Sequence, residues 1–169
     1  MTKSIGQIEG VGPQYANALR KIGISTTAQL LLSGGTAKGR RELAQRIGIG
    51  EGVILKWVNM SDLFRIKGVA GQYAELLKAS GVDTVKELRN RNASNLLEKL
   101  RETNLEKKLV RQVPGASLVE QWVSEAKQLK PAVWILGRNK SRHLGRSFVG
   151  QAAIKPDESF VTAKFERDR

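Results

Sequence analysis

The sequence predicts an all-α protein made of a duplicated helical unit, and three observations support this fold class. Residues 8–31 align without a gap on residues 66–89, and 10 of the 24 aligned positions are identical. Apolar residues recur at helical spacing in both copies. Glycines interrupt these apolar stripes at matching positions. Because such repeats are typical of duplicated supersecondary units, we predict repeat 1 at residues 1–64, repeat 2 at 65–130 and a basic C-terminal extension at 131–169.

A helix is predicted after the first glycine turn of each repeat, because apolar residues follow there at intervals of three and four. In repeat 1 this stripe is Tyr15, Ala18, Leu19 and Ile22. Further stripes predict the other helices, and they comprise Tyr73, Leu76 and Leu77; Leu43, Ala44 and Ile47; Ile54, Trp57, Val58 and Ser61; and Val119, Trp122, Val123 and Ala126.

Helix ends are marked by glycines and by capping patterns. Gly23 and its counterpart Gly81 are predicted to stop a helix as C-terminal caps. Helix starts are predicted where a hydroxyl residue precedes Gln or Glu by three positions. The pairs that fit are Thr26 with Gln29, Thr84 with Glu87, and Ser117 with Glu120.

The turn that opens repeat 1 has the composition of an anion-binding bend. Gly10 and Gly12 permit backbone angles closed to other residues, so the N–H groups here and at Gln14 can point outward beside the positive end of a helix. Such groups bind a phosphate oxygen directly. Pro13 suits the first helical position, and Ala16 is small enough for two helices to cross closely.

Residues 8–19 resemble the helix-hairpin-helix motif, in which two apolar residues alternate with two glycines before a helix; Val11 is the second apolar residue. The resemblance implies tandem helix-hairpin-helix repeats, a fold of the SAM/helix-hairpin-helix-like class, with phosphate contacts at the turns. The turn is also compatible with a purely structural interhelical bend.

The second copy departs from this pattern at two positions. Gly68 is retained, but Ala70 and Gly71 stand where repeat 1 has glycine followed by proline. This departure weakens the expectation of a phosphate contact in repeat 2. Lys67 adds a positive charge directly before the turn.

Over residues 5–130 the chain is also similar to the family called domain of unknown function 4332, whose members are tandem helix-hairpin-helix pairs. The resemblance implies that fold, and for function it implies nucleic-acid binding. It is carried by Ile8-Glu9-Gly10-Val11-Gly12-Pro13, Lys38-Gly39-Arg40-Arg41-Glu42-Leu43-Ala44, Ile54-Leu55-Lys56-Trp57-Val58-Asn59-Met60 and Glu106-Lys107-Lys108-Leu109-Val110-Arg111.

The charge of the chain indicates a polyanionic partner. With 29 Lys and Arg against 16 Asp and Glu, the net charge is +13, which attracts a polyanion at long range. Three clusters are candidate phosphate contacts, although charge runs are usually solvated faces. They are Lys38, Arg40 and Arg41; Lys107, Lys108 and Arg111; and Arg138, Lys140, Arg142 and Arg146.

The C-terminal extension has two further features. The apolar run Val133-Trp134-Ile135-Leu136 is expected either to pack on the core or to dock on a protein partner. Residues 148–155 and 159–165 have strand-like composition around Pro156-Asp157-Glu158, which predicts a short β-hairpin.

The sequence does not favour catalysis, and neither a cofactor nor a metal is expected. Cysteine is absent, so thiolate chemistry is excluded. His143 is the single histidine and lies in a basic segment, while Asp83 lies at a predicted helix start, where a capping role comes first. No phosphate-binding Gly-x-x-x-x-Gly-Lys-Ser/Thr loop is found.

We therefore expect a non-enzymatic, cytoplasmic protein that binds DNA largely without sequence preference. One alternative is a protein scaffold that uses the repeats and the extension, and another is an RNA- or ribosome-associated factor. Neither a long apolar span nor a signal sequence is predicted, so no membrane partner is expected.

Overall fold

The computed structural model describes residues 2–134, and within these residues it is entirely helical. A 3-10 helix, Ile5–Gln7, precedes the α-helices. These are α1 Pro13–Lys21, α2 Thr27–Gly34, α3 Ala37–Ile47, α4 Glu51–Leu63, α5 Gly71–Ala79, α6 Val85–Leu88, α7 Ala93–Lys107 and α8 Ala116–Gln128. The all-α prediction is confirmed for this part of the chain. The β-hairpin, His143 and the cluster Arg138, Lys140, Arg142 and Arg146 lie outside the described residues.

The repeated segments share backbone geometry as well as sequence. Gly10 and Gly68 both have a φ of 84°. Gly23 and Gly81, which follow α1 and α5, have φ values of 86° and 83°. These left-handed angles suit glycine because a side chain would clash with its own backbone. The two predicted C-terminal caps are therefore confirmed.

Two of the three predicted capping pairs begin helices. The Thr26 hydroxyl accepts the amide of Gln29, whose side chain accepts the amide of Thr26 in return. Thr84 accepts the Glu87 amide in the same way. The prediction at Ser117 is wrong, because α8 begins at Ala116 with Gly115 as its N-cap residue.

One continuous apolar core joins the two repeats. Its largest fully buried side chains are Trp57 on α4 and Trp122 on α8. The ring of Trp57 lies 5.3 Å from that of Tyr15, and the ring of Trp122 lies 5.4 Å from that of Tyr73. Each first helix is thus held against the last helix of its repeat by an equivalent aromatic pair, which fixes the position of the preceding turn.

Residues 130–134, which we call the C-terminal strap, return from α8 to repeat 1. The Arg65 guanidinium donates to the Lys130 carbonyl at 2.8 Å. The Trp134 amide donates to the Gly35 carbonyl at 2.8 Å, in the turn between α2 and α3. The strap therefore ties the end of the described chain to its first half.

Candidate nucleic-acid interface

The first glycine turn leaves most of its backbone N–H groups free. Val11 is the exception, since its amide donates to the Ile8 carbonyl at 3.0 Å. The amides of Gly10, Gly12 and Gln14 donate to no acceptor within residues 2–134, and all three residues are exposed. Together the turn and the start of α1 line an open depression of about 560 Å³. These donors surround the positive end of α1, an arrangement that suits an anion.

The second glycine turn repeats this arrangement with one difference. The Val69 amide donates to the Ile66 carbonyl at 3.2 Å, and the amides of Gly68, Ala70 and Gln72 have no acceptor among the described residues. The Lys67 amide, however, donates to a Glu125 carboxylate oxygen at 3.0 Å. A negative charge from α8 therefore lies directly beside this turn.

The two turns are neighbours in space. The Lys3 ammonium donates to the Val69 carbonyl at 2.9 Å, and it also lies 4.6 Å from the centre of the Phe64 ring. A side chain at Gly71 would come within 3.7 Å of the Gln7 carbonyl, one residue before the first turn begins. The segment that leads into turn 1 is therefore packed against turn 2.

Bulky side chains support both turns from behind. A methyl group at Gly10 would lie 3.4 Å from the indole nitrogen of Trp57. At Gly68 it would lie 3.5 Å from both Leu118 and the indole nitrogen of Trp122. These are ordinary van der Waals distances, so glycine is favoured at these positions by its left-handed backbone rather than by the packing.

One of the basic clusters is followed by a residue that is hydrogen-bonded to α5. Lys107, Lys108 and Arg111 are exposed at and after the end of α7. The Tyr73 hydroxyl, from the first turn of α5, donates to the carbonyl of Gln112, the residue that follows Arg111. Arg111 therefore precedes a residue that contacts α5, the helix that follows turn 2.

The other described cluster is divided by the fold. Lys38 and Arg41 are exposed on α3, where Lys38 lies 3.8 Å from the Glu42 carboxylate. No contact of the described residues joins either side chain to a glycine turn.

The expectation that Arg40 binds phosphate is corrected, because its side chain is 3% exposed. Its guanidinium donates to the carbonyls of Gly34 and Gly35 at 3.1 Å and to that of Trp134 at 3.0 Å. Burial lowers the pKa of Arg40 from its ordinary value, although the nearby charge of Glu51 acts in the opposite direction. Arg40 therefore fastens the C-terminal strap.

Lys3 and Gln7 are interface residues that the sequence did not indicate. Both depend on contacts between residues more than 60 positions apart, and neither belongs to a repeated position or a charge run. Local sequence spacing could not predict the contact between Lys3 and turn 2.

A small acidic group lies at the start of α6. Burial is the main cause that raises the pKa of Asp83, and the neighbouring Glu87 carboxylate raises it further. Burial likewise lowers the pKa of Lys78, with Lys56 as a second cause. Thr84, rather than Asp83, is the N-cap residue of α6.

No group of three or more His, Asp and Glu side chains in the described part of the chain is arranged to hold a metal ion. No helix in residues 2–134 has the length and apolar character needed to cross a bilayer.

Comparison with known proteins assigns the family. The model of a family described as "Domain of unknown function (DUF4332)" matches residues 9–129. The chain belongs to this family. The match spans both glycine turns and the eight α-helices described above, and it ends one residue before the strap. No curated protein and no solved structure matches the chain.

Proposed function

We propose that this DUF4332 protein is a non-enzymatic DNA-binding protein whose two glycine turns are helix-hairpin-helix elements. In this proposal the exposed amides of each turn bind phosphate oxygens of the DNA backbone. The observation that carries it is that Gly10, Gly12, Gly68 and Ala70 expose amides that have no acceptor in residues 2–134.

Three further features support a polyanionic ligand. The turns are neighbours, since Gln7 packs against Gly71 and Lys3 reaches Val69. Positive charge is available at turn 2 from the exposed Lys67, and the exposed cluster Lys107, Lys108 and Arg111 precedes Gln112, whose carbonyl accepts from Tyr73 of α5. The net charge of +13 draws a polyanion toward this surface.

Recognition of this kind carries little sequence preference. Amides and lysines that contact phosphates position a duplex, whereas base edges in the grooves carry the sequence information. Affinity should therefore fall with rising salt, with a slope of about −0.9 per phosphate neutralised. We place this activity in the cytoplasm. RNA should be compared with DNA as the ligand in the same assay.

The test introduces carboxylates that accept hydrogen bonds from the exposed amides and so compete with phosphate. Gly12 and Ala70 are the N-cap residues of α1 and α5, and neither makes a side-chain capping bond. An Asp at such a position accepts the first amides of its own helix and stabilises the helix. The double variant Gly12→Asp, Ala70→Asp should keep or raise the melting temperature and lose duplex binding in a mobility-shift titration.

The matched control changes the net charge equally at another helix start. Asn92 caps α7, and Asn95 lies in its first turn. The variant Asn92→Asp, Asn95→Asp should bind duplex DNA with an affinity near that of the unchanged chain. Equal losses in the two double variants would show that net charge alone governs binding and would exclude the turns as the site.

A protein-scaffold role is the alternative that the same titration separates. Binding to a protein through apolar contacts depends weakly on salt, whereas phosphate contacts depend on it steeply. A chain that binds neither DNA nor RNA at low salt would contradict the proposal outright.

A further inference from the structure

Lys3 is anchored both by its backbone and by its ammonium. Its amide donates to the Thr27 hydroxyl at 3.2 Å, and its carbonyl accepts from the Thr27 amide at 2.8 Å. Its ammonium donates to the Val69 carbonyl at 2.9 Å and lies 4.6 Å from the centre of the Phe64 ring. Thr27 and Phe64 are both buried, so these partners hold fixed positions. The ammonium therefore has a defined position at turn 2 and has given up the rotamer freedom of an exposed lysine.

The charge of Lys3 is not neutralised within residues 2–134. The ion pairs of this part of the chain are Lys38 with Glu42, Arg65 with Asp62, and Lys99 with Glu102. None of them involves Lys3. A carbonyl and an aromatic face attract a cation but carry no net charge, so a positive potential remains at turn 2.

The carbonyl that Lys3 contacts belongs to the same peptide unit as an exposed amide of turn 2. This unit joins Val69 to Ala70, and the Ala70 N–H has no acceptor among the described residues. The peptide bond is trans, so its carbonyl and its N–H point to opposite edges. A cation on the carbonyl draws electron density toward that edge and makes the N–H a stronger hydrogen-bond donor. Lys3 can therefore act on a bound anion through the peptide without contacting it.

A second donor lies beneath turn 2. The Trp122 side chain is 0% exposed, and its indole N–H has no acceptor in residues 2–134. The indole nitrogen lies 3.5 Å from the position that a methyl group at Gly68 would occupy. Buried indole N–H groups usually find an acceptor, and one that does not is destabilising. The fold thus keeps an unused donor against the glycine that opens turn 2, where it adds to the positive potential.

Turn 1 lacks an equivalent of Lys3. The corresponding peptide unit joins Val11 to Gly12, and no hydrogen-bond donor in residues 2–134 reaches the Val11 carbonyl. Lys3 lies outside the aligned segments 8–31 and 66–89, so it is not part of the repeat. The two turns therefore present the same backbone with and without a cation on this carbonyl.

We propose that Lys3 is a positioning residue that strengthens phosphate binding at turn 2 through the Val69–Ala70 peptide unit. The inference rests on the proposed function, because it takes the Ala70 amide as a phosphate donor. Lys3 fixes the charge behind this amide, and the phosphate binds in front of it.

The test measures the coupling between Lys3 and the Ala70 amide in a mobility-shift titration with a short DNA duplex. Lys3→Gln keeps a donor for the Val69 carbonyl but removes the charge, and it should weaken binding about threefold to tenfold at low salt. The same change in the Gly12→Asp chain should give a loss of equal size, because turn 2 is intact there. In the Ala70→Asp chain it should give a loss of about twofold or less, since the amide is already occupied and only long-range attraction remains.

Two further variants separate the charge of Lys3 from a structural role. Lys3→Arg can also donate to the Val69 carbonyl and keeps the charge, so it should bind within about twofold of the unchanged chain. Lys99→Gln removes the same charge from an exposed position on α7 and should leave the affinity nearly unchanged. The loss in Lys3→Gln should shrink as salt rises, whereas damage to the turn would persist at every salt concentration.

The outcomes keep this inference distinct from the proposed function. Retained duplex binding in the Gly12→Asp, Ala70→Asp variant would overturn the function and the inference with it. Loss of binding in that variant together with unchanged affinity in Lys3→Gln would overturn the inference alone. A loss in Lys3→Gln that is equally large in the Ala70→Asp chain would show that Lys3 does not act through this amide. A loss that does not depend on salt would assign Lys3 a purely structural role and would also overturn the inference.

Discussion

The two glycine turns share a backbone but differ in what surrounds it. Turn 1 has three exposed amides without acceptors and is preceded by Glu9, while no basic side chain contacts it in residues 2–134. Turn 2 has the Lys3 ammonium on its Val69 carbonyl, the exposed Lys67 at its start and the Glu125 carboxylate on the Lys67 amide. The duplicated geometry was thus retained while the electrostatic surroundings diverged. Turn 1 depends on backbone donors, whereas turn 2 adds side-chain charge.

The largest expected effect on duplex affinity comes from placing a carboxylate at the N-cap position of one turn at a time. Gly12→Asp should weaken duplex binding roughly tenfold or more, since its turn has only backbone donors to offer. Ala70→Asp should weaken it less, because Lys3 and Lys67 still attract the phosphate. A mobility-shift titration of both single variants measures the difference. A larger loss for Ala70→Asp would reverse our comparison.

A second prediction concerns the backbone that the turns share. Gly10→Ala and Gly68→Ala should each lower the free energy of unfolding by about 1–2 kcal/mol, because alanine is strained at a φ of 84°. Urea denaturation of both variants should give similar losses. If only one variant is destabilised, the two glycines do not contribute equally to the stability of the fold.

The carboxylate beside turn 2 provides a smaller effect. Glu125→Gln keeps an acceptor for the Lys67 amide and removes the charge, so duplex affinity should rise about twofold to threefold at low salt. The increase should shrink at high salt, since exposed charges are screened there. Glu120→Gln, an exposed change on the same helix, is the control. Equal gains in both variants would remove any special role for Glu125.

The smallest effect concerns Asp83, whose counterpart in repeat 1 is Ser25. Since the pKa of Asp83 is raised in the folded chain, the folded state binds a proton more tightly, and stability falls as pH rises through that raised pKa. Asp83→Ser removes this loss. The variant should melt slightly higher at neutral pH, with a difference that disappears below about pH 4. A constant difference across this range would contradict the assignment.

Local rules predicted most of the helices, although not α7, because their signals lie within a few residues. Thr26 and Gln29 begin α2 where expected, and Gly23 and Gly81 follow the ends of α1 and α5. Caps and left-handed turns depend on neighbouring backbone groups, so local sequence predicts them. Ser117 failed because its pattern competes with Gly115 two residues earlier, which begins α8 instead.

The candidate interface was less predictable because its arrangement depends on long-range contacts. The sequence indicated both glycine turns, but not that Lys3 and Gln7 would place them together. Arg40 was grouped with its exposed neighbours Lys38 and Arg41, although residues one or two positions apart on a helix lie on different faces of it. A buried guanidinium needs carbonyl acceptors. Counting charges in the sequence does not show which residues supply them.

The strap has a consequence for where this molecule can be cut. The family match ends at residue 129, yet Trp134 supplies a carbonyl to Arg40 and Val133 lies in the core. A polypeptide shortened to the matched span would retain every α-helix and still leave a guanidinium without one of its acceptors. A fragment meant to fold therefore needs to reach at least residue 134, because an interior cation takes an acceptor beyond the last helix.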